Sequence, residues 1–284
     1  MEAIDDYAMG RSEAETRRLT FQHQVYGPLT RRFFQAAGIG AGMKVLDIGS
    51  GAGDVALLAA DLVGPQGRVV GVDMNAEILE TARKRVEAVG WRNVTFRSGD
   101  VRALDLDDDF DVVVGRFVLM YVPEPATLVR HLTTRLVPGG LVAFHEIDFH
   151  FPPTTIPPSS LSERFQRWAI PPPGSPGPDM RMGSNLFRTY LEAGLPGPQL
   201  IVEAAAGGGE HWPGYELLSA TLRSLMPVLE KTVGLDPAEV DIDTLADRMR
   251  ADTVSRHAVH VMPHMFGAWS RKPGNQLIGG ETGR

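Results

Sequence analysis

The sequence contains no cysteine in its 284 residues. This absence excludes disulfides, zinc sites with thiolate ligands, iron–sulfur clusters and cysteine nucleophiles from the chain. Radical reactions that start at an iron–sulfur cluster are excluded for the same reason. A chain of this length can still bury a full hydrophobic core without cross-links or metals. We therefore expect one large domain, or one domain with a cap.

Long apolar runs and blocks of basic residues are also missing. No apolar run approaches the ~18 residues that a membrane-spanning helix needs, and residues 1–6 are acidic and lack the apolar segment of a signal peptide. The net charge is −7, and the lysines and arginines form no cluster that would bind nucleic acid. These features predict a cytoplasmic protein that binds neither nucleic acid nor membrane.

Residues 43–147 alternate between short apolar runs and stretches with helical periodicity. The predicted strands cover residues 45–48, 68–72, 94–96, 110–114 and 141–147, and the predicted helices cover residues 54–63, 76–89 and 124–136. Nearly continuous apolar strands separated by helices are typical of a parallel sheet that is covered on both faces. The pattern predicts a doubly wound α/β fold, with further strands near 200–205 and 258–269.

The rest of the chain predicts insertions around this core. The predicted parts are an N-terminal helical cap (1–42), a ligand-binding core (43–150), a proline-rich insertion (151–183), the remainder of the sheet (184–272) with a helical insertion at about 208–256, and a flexible tail (273–284). Proline lacks a backbone N–H and interrupts regular elements, so the proline-rich segment is expected to be mostly loop.

The strongest local signal is the glycine-rich turn VLDIGSGAGD at residues 45–54. Glycines at 49, 51 and 53 allow the backbone to approach a ligand closely, and the helix that follows presents unpaired N–H groups. A dinucleotide pyrophosphate binds to turns of this kind. Here, however, Asp54 stands where a third glycine is expected, and Asp47 would repel a pyrophosphate but attract a cationic amine.

Two more acidic residues follow neighbouring predicted strands. Asp73 ends the second strand, 24 residues after Gly49, near the spacing at which a carboxylate binds ribose hydroxyls. Asp100 follows the third strand, where it can accept a hydrogen bond from the amino group of an adenine. Because ligands bind at the carboxyl edge of an open α/β sheet, these residues predict a nucleoside-containing ligand with a cationic amine.

These motifs, together with Pro138-Gly139-Gly140 before the fifth strand, resemble the class I S-adenosylmethionine-dependent methyltransferases. The resemblance is closest to the small-molecule enzymes related to the ubiquinone and menaquinone methyltransferases. It covers residues 43–147 closely and residues 184–270 loosely. It implies a Rossmann-like, mostly parallel seven-stranded sheet with helical cap insertions. It also implies S-adenosylmethionine as cofactor, S-adenosylhomocysteine as product and a small-molecule methyl acceptor.

The resemblance also implies roles for individual residues. The methionine moiety would be held by Asp47, Gly49, Gly51 and Gly53, and the ribose by Asp73. The face of the adenine would be covered by Met74, and its edge would be bound by Asp100 and the backbone of Val101. The wall beside the reactive methyl would be formed by Gly115 and Arg116.

Three residues are candidates for the catalytic group. His145 and Glu146 lie at the end of the fifth strand, and since adjacent strand residues face opposite ways, only one of them can point into a given site. We favour Glu146, because a carboxylate near a sulfonium can serve as a base or stabilise a cation. Tyr26, on the N-terminal helix, is the third candidate, as an aromatic residue that can line the acceptor pocket and stabilise a cation.

Several alternatives remain open at this point. Methylation of oxygen or nitrogen in a fairly apolar metabolite is favoured over carbon methylation of an alkene such as a prenyl diphosphate, for which Glu146 would act as base. An NAD(P)-dependent oxidoreductase is the rival from another class, but no tyrosine has a lysine four residues later, as the short-chain dehydrogenases require. A nucleic-acid methyltransferase and a protein that binds the cofactor without turnover are further alternatives.

No metal site is expected, and the sequence does not predict the oligomeric state. His257, His260 and His264 have a spacing that could share one helix face, but Pro263 interrupts the run. Gly115-Arg116 stands after the fourth strand, where catechol-type methyltransferases have magnesium-binding carboxylates.

Overall fold

The computed structural model describes residues 13–106, 109–170 and 177–274, with side chains from residue 17 onward. The α-helices are α1 (Glu13–Ala36), α2 (Asp54–Val63), α3 (Ala76–Val89), α4 (Pro125–Thr133), α5 (Ser160–Ala169), α6 (Met182–Glu192), α7 (Gly214–Val233), α8 (Pro237–Val240) and α9 (Leu245–Ser255). The strands are β1 (Lys44–Ile48), β2 (Arg68–Asp73), β3 (Val94–Ser98), β4 (Phe110–Arg116), β5 (Leu136–Asp148), β6 (Thr154–Ile156), β7 (Gln199–Glu203), β8 (Ala206–Gly207), β9 (Val259–Val261) and β10 (His264–Arg271).

Seven of these strands form one sheet in the order β3-β2-β1-β4-β5-β10-β7. β1 pairs in parallel with both β2 and β4, and the pairs β2–β3 and β4–β5 are parallel as well. The chain order reverses at β1 and β4, and in doubly wound sheets this is the place where ligands bind. The α/β fold predicted from the sequence is confirmed.

The described residues divide into two compact units. The core unit contains residues 33–146, 182–201 and those from 266 onward, and the second unit contains residues up to 32, 147–181 and 202–265. In the core unit, the apolar faces of α2 and α3 pack against the central strands, with Leu79, Ala82 and Val112 among the fully buried side chains.

Local sequence determines where the two helices beside the glycine turn begin and end. α2 begins after Gly53 and ends at Gly64, which has a φ of 68°. α3 begins at Asn75, whose side chain accepts hydrogen bonds from the backbone N–H groups of Glu77 (3.0 Å) and Ile78 (3.4 Å). Capping of this kind satisfies N–H groups that have no partner inside the helix.

The second unit contains a small antiparallel sheet of β6, β9 and β8. A single strand over residues 258–269 was expected here, but the structure has β9 in this small sheet and β10 in the seven-stranded sheet. Pro263, which has no N–H to donate to a strand neighbour, lies between them. The helical insertion expected at about 208–256 contains α7, α8 and α9, and α8 stops before Asp241, which adopts a left-handed conformation with a φ of 45°.

Some sequence predictions fall outside the described residues. They are the first twelve residues of the N-terminal cap, the Pro171-Pro172-Pro173 run within residues 171–176, and residues 275–284 of the tail. Among the helices that the structure describes, none is long and apolar enough to cross a membrane.

Candidate functional site

The glycine turn between β1 and α2 has the backbone that its sequence predicts. Gly49, Gly51 and Gly53 have φ values of 62°, 52° and 83°, a region that other residues adopt only at a cost in free energy. A Cβ at Gly49 would lie 2.5 Å from Cγ2 of Val118, so that side of the turn is closely packed. A Cβ at Gly51 would meet no atom within 4 Å. The turn is therefore open at Gly51.

Asp47 is completely buried at the end of β1, one residue before its last position. Its Oδ2 accepts a hydrogen bond from Oγ of Ser50 at 2.7 Å, whereas its Oδ1 has no hydrogen-bond partner within the described residues. Burial raises the pKa of Asp47 to about 7, against the lowering effects of Ser50 and of the Arg116 charge. A cationic group beside Oδ1 would satisfy this oxygen and favour the ionised carboxylate.

Asp73, the last residue of β2, connects the glycine turn to the start of α3. Its Oδ2 accepts a hydrogen bond from the N–H of Gly51 at 2.9 Å, and its Oδ1 accepts one from the N–H of Asn75 at 2.8 Å. Burial raises the pKa of this carboxyl, and these backbone hydrogen bonds oppose the rise. A carboxylate oxygen can accept more than one hydrogen bond, so both oxygens can still bind hydroxyl groups of a ligand.

The predicted adenine-binding residues lie close to the ends of β2 and β3. Met74 is 59% exposed, an unusual position for a large apolar side chain. Val101 is buried. Asp100 forms an ion pair with Arg102 in which both carboxylate oxygens accept from the guanidinium, at 2.6–3.0 Å. The Arg102 hydrogen bond lowers the pKa of Asp100. An adenine amino group would therefore share Asp100 with Arg102.

Gly115 and Arg116 end β4 next to Ile48 and His145. A Cβ at Gly115 would lie 2.7 Å from Cε1 of Phe144, so packing inside the sheet is sufficient to require glycine there. Arg116 is buried, and its guanidinium lies 5.7 Å from the ring centroid of Phe117. Its positive charge acts on both Asp47 and His145. The Arg116 charge therefore opposes, without cancelling, the rise in the pKa of Asp47 that burial causes.

The two catalytic candidates on β5 have different surroundings. His145 is buried, and its ring centroid lies 4.9 Å from that of Phe33. Burial, with a smaller effect from Arg116, lowers the pKa of His145 to about 3, so the imidazole is neutral at physiological pH. Glu146 has no exposed surface, and its Oε1 accepts hydrogen bonds from the N–H groups of Val118 and Leu119, both at 2.9 Å.

Tyr26, the third catalytic candidate, lies on α1 in the second unit, whereas the other predicted site residues lie in the core unit. It is buried, and its carbonyl oxygen accepts a hydrogen bond from Oγ1 of Thr30 at 3.0 Å. The second unit also contains an open cleft of about 690 Å³, to which α1 contributes Phe21 and Gln24. Tyr26 is not among the residues that line this cleft.

Sequence reasoning missed three residues that shape the glycine turn. Ser50 donates to Asp47, and Gly71 makes room for Ser50, because a Cβ at Gly71 would lie 2.6 Å from the serine Oγ. A glycine within the apolar strand VVGVD was the available signal, since such a glycine often marks a close approach. Arg85 donates to Asp54 (2.6 Å) and to the carbonyl of Ala52 (2.7 Å), which gives Asp54 a structural role.

The three histidines with helical spacing do not share one environment. His257 is exposed, whereas His260 is buried beside the rings of Trp212 and Tyr215. Within the described ranges, no group of three histidine or acidic residues has an arrangement that could hold a metal ion.

Comparison with known proteins links these features to one family. Residues 39–170 match the family described as Methyltransferase domain. The chain is 31% identical over 189 residues to the 2-phytyl-1,4-naphtoquinone methyltransferase of Synechococcus elongatus, which covers 65% of this chain and 78% of that protein. The chain belongs to the class I S-adenosylmethionine-dependent methyltransferases.

Two further matches of this methyltransferase are weaker. One covers little of the relative, and the other has a low sequence identity. An arsenite methyltransferase of Halobacterium salinarum is 39% identical over 112 residues, which cover 39% of this chain and 29% of that protein. The chain thus spans less than a third of that relative. A crystal structure of a putative methyltransferase from Bacillus halodurans matches with a TM-score of 0.54 at 21% identity, over 85% of this chain and 97% of that one. At that identity, the match supports the fold alone.

Proposed function

We propose that this chain transfers the methyl group of S-adenosylmethionine to a small, fairly apolar metabolite. The observation that carries the proposal is the buried Asp47 carboxyl, which has one oxygen without a hydrogen-bond partner in the described residues and lies beside a glycine turn that is open at Gly51. A buried carboxyl in this state fits a cationic amine. S-adenosylmethionine contains such an amine, and when bound it supplies a methyl group already activated on a sulfonium.

Specific residues would hold each part of this cofactor. Asp47 would accept from the ammonium group, and the backbone at Gly51 would lie against the methionine moiety. The Asp73 carboxylate would accept from the two ribose hydroxyls while it keeps its hydrogen bond to Gly51. The exposed Met74 side chain would cover the adenine ring, and Asp100 and the N–H of Val101 would bind the adenine edge. These are the roles that the resemblance to this family implies.

The absence of cysteine supports an organic acceptor rather than arsenite. Trivalent arsenic is a soft centre that prefers thiolate ligands, and these 284 residues contain none. The Synechococcus elongatus relative is named for a phytyl-substituted naphthoquinone, a large and mostly apolar molecule. We propose that the acceptor of this chain is likewise an apolar ring compound. Its methylation at oxygen or nitrogen is a separate part of the proposal, to which the name of that relative adds no support.

Two measurements on the purified protein test the proposal. Titration with S-adenosylhomocysteine measures binding of the donor product, and release of S-adenosylhomocysteine from S-adenosylmethionine measures turnover. The acceptor panel should include naphthoquinols, phenols, amines, carboxylates, prenyl diphosphates and arsenite, with the product identified by mass. Turnover on a phenol, quinol or amine would support the proposal if NMR of the product places the new methyl group on oxygen or nitrogen, and a methyl group on ring carbon would contradict the proposed site of methylation.

Other outcomes would contradict defined parts of it. Turnover on arsenite or on a prenyl diphosphate would contradict the proposed acceptor but not the reaction. Donor binding without turnover on any acceptor would favour a cofactor-binding protein. An absence of donor binding in the folded protein would contradict the proposed reaction itself.

A further inference from the structure

We propose that Glu146 is a positioning residue that fixes the loop after β4 against the glycine turn and so shapes the donor site without touching the donor. This proposal rests on the proposed function, because it concerns the same donor site. The loop is defined here as residues 117–119, the "β4 loop". It lies in the core unit together with Glu146 and the glycine turn.

Two hydrogen bonds join Glu146 to backbone groups. Its Oε1 accepts hydrogen bonds from two successive N–H groups, those of Val118 and Leu119, each at 2.9 Å. Because Glu146 has no exposed surface, water does not compete for these bonds. A buried carboxylate that binds two adjacent N–H groups constrains both the position and the orientation of the peptide units that carry them.

The β4 loop needs this support because its first residue has a strained backbone. Phe117 has a φ of 57°, in the left-handed region that a residue with a Cβ seldom adopts. Its N–H donates to the carbonyl of His145 at 3.1 Å, so β5 holds the loop at this point as well. Strained residues persist where their surroundings hold them in place. Two of the holding groups here are the backbone of His145 and the side chain of Glu146, on adjacent residues.

The β4 loop packs directly on the glycine turn. Cγ2 of Val118 lies only 2.5 Å from the place that a Cβ of Gly49 would occupy, so the valine fills the space that the glycine leaves. Any shift of Val118 would open a gap beside Gly49 and allow the turn to move. Since the donor would bind along this turn, Glu146 influences donor affinity through Val118.

This role differs from that of a base, and isosteric substitution separates the two. The amide oxygen of Glu146→Gln can accept from the same two N–H groups, but the amide cannot take up a proton. Glu146→Ala removes the acceptor and leaves the N–H groups of Val118 and Leu119 without this partner. If Glu146 positions the loop, the Gln variant should behave like the wild type and the Ala variant should not. If it acts only as a base, neither substitution should change donor binding.

The experiment measures binding of S-adenosylhomocysteine by calorimetry and hydrogen exchange of the Val118 and Leu119 amides. We expect Glu146→Ala to weaken binding about tenfold or more, which is the usual effect of removing a group that orients a binding residue. The two amides should exchange faster in this variant even without ligand. Glu146→Gln should stay within about twofold of the wild type in both readouts, given the retained acceptor.

Tyr190→Phe provides a matched control for the loss of a buried hydrogen bond on β5. The Tyr190 hydroxyl accepts from the N–H of Phe144 at 3.1 Å and donates to the carbonyl of Ala268 at 2.7 Å, and it makes no contact with the β4 loop in these bonds. This variant should lose stability but keep its donor affinity and its Val118 exchange rate.

Defined outcomes would overturn the proposal. One is a folded Glu146→Ala protein that binds the ligand as tightly as the wild type and shows unchanged exchange at Val118 and Leu119. Another is a Glu146→Gln protein as impaired as the Ala variant. If Glu146→Ala fails to fold, Val118→Ala tests the same path, because it should weaken donor binding while Glu146 stays intact. A wild type that binds no ligand would refute the proposed function, whereas the exchange comparison would still decide the role of Glu146.

Discussion

Asp47 is an ionisable residue that is completely buried at the place where a cation is expected to bind. Burial raises its pKa to about 7, so near neutral pH the free protein contains both protonated and ionised Asp47. Binding of an ammonium group requires the ionised form. Affinity for S-adenosylhomocysteine should therefore be constant above about pH 8 and fall below pH 7 by up to about tenfold per pH unit.

Calorimetry across pH 5.5–8.5 checks this prediction, and Asp47→Asn is its control. The asparagine variant should bind weakly at every pH, because its side chain does not titrate. In the wild type at pH 6, binding should release a proton, which is detected as a dependence of the heat on the buffer. An affinity that does not change over this range would show that Asp47 is not the partner of the ammonium.

Asp73 is the second residue for which a single substitution is informative. Asp73→Ala removes the proposed acceptor of the ribose hydroxyls and also the hydrogen bond to Gly51. We expect donor binding to weaken by about 1–3 kcal/mol, the usual effect of leaving hydrogen-bonding groups without their partner. Asp109→Ala is a suitable control, because this carboxylate pairs with Lys44 at the opposite end of β1. Equal donor affinity in the two variants would contradict the ribose assignment.

At the scale of the element, the glycine turn permits a test that separates strain from ligand contact. Gly51 and Gly90 both have a positive φ, 52° and 78°, and a Cβ at either would meet no atom within 4 Å. Gly51 precedes α2, whereas Gly90 follows the last residue of α3 in the left-handed conformation. Replacing either with alanine should cost roughly 1–2 kcal/mol of stability, because a left-handed alanine is strained. Only Gly51→Ala should also weaken donor binding, because its methyl group would occupy space proposed for the donor.

Thermal unfolding and titration with S-adenosylhomocysteine measure the two effects separately. Similar losses of stability with a difference in affinity would support the proposed position of the donor. If Gly51→Ala bound the donor as tightly as Gly90→Ala, the donor would have to bind away from the turn.

The same element shows what could be predicted from the sequence. Alternating apolar runs and glycine spacing predicted the sheet and the turn, because both depend on local patterns. Arg85 was missed because its contact with Asp54 joins residues 31 positions apart, and no local pattern encodes it. The surroundings of Glu146 were missed for a related reason. Its charge and its position at a strand end favoured a base, whereas its two hydrogen bonds depend on how the β4 loop folds back.

At the scale of the whole molecule, buried titratable groups should determine how stability depends on pH. His145, in the core unit, and His260, in the second unit, have pKa values lowered by burial to about 3 and about 4. Unfolded histidine binds a proton near pH 6.5, so the stabilisation from each neutral histidine is complete above that pH and is lost as the pH falls. Asp47 acts in the opposite direction. Its raised pKa stabilises the folded state at acidic pH, and this contribution is lost as the pH rises through about 7.

These opposing effects lead to a prediction for the variant that lacks the Asp47 charge. Between pH 6.5 and about 4, each histidine contributes a slope of roughly +1.4 kcal/mol per pH unit to the unfolding free energy and Asp47 one of roughly −1.4. These contributions sum to a slope of about +1.4 kcal/mol per pH unit in the wild type. In Asp47→Asn, where only the two histidines contribute, the slope is about +2.8 kcal/mol per pH unit. Urea unfolding of both proteins at pH 6.5, 5.5 and 4.5 measures the difference. His260→Gln should reduce the slope by about the contribution of one histidine. Parallel pH profiles for the wild type and Asp47→Asn would mean that Asp47 is already ionised in the folded protein at pH 5.5, and the pH-dependent donor binding predicted for this residue would then also fail.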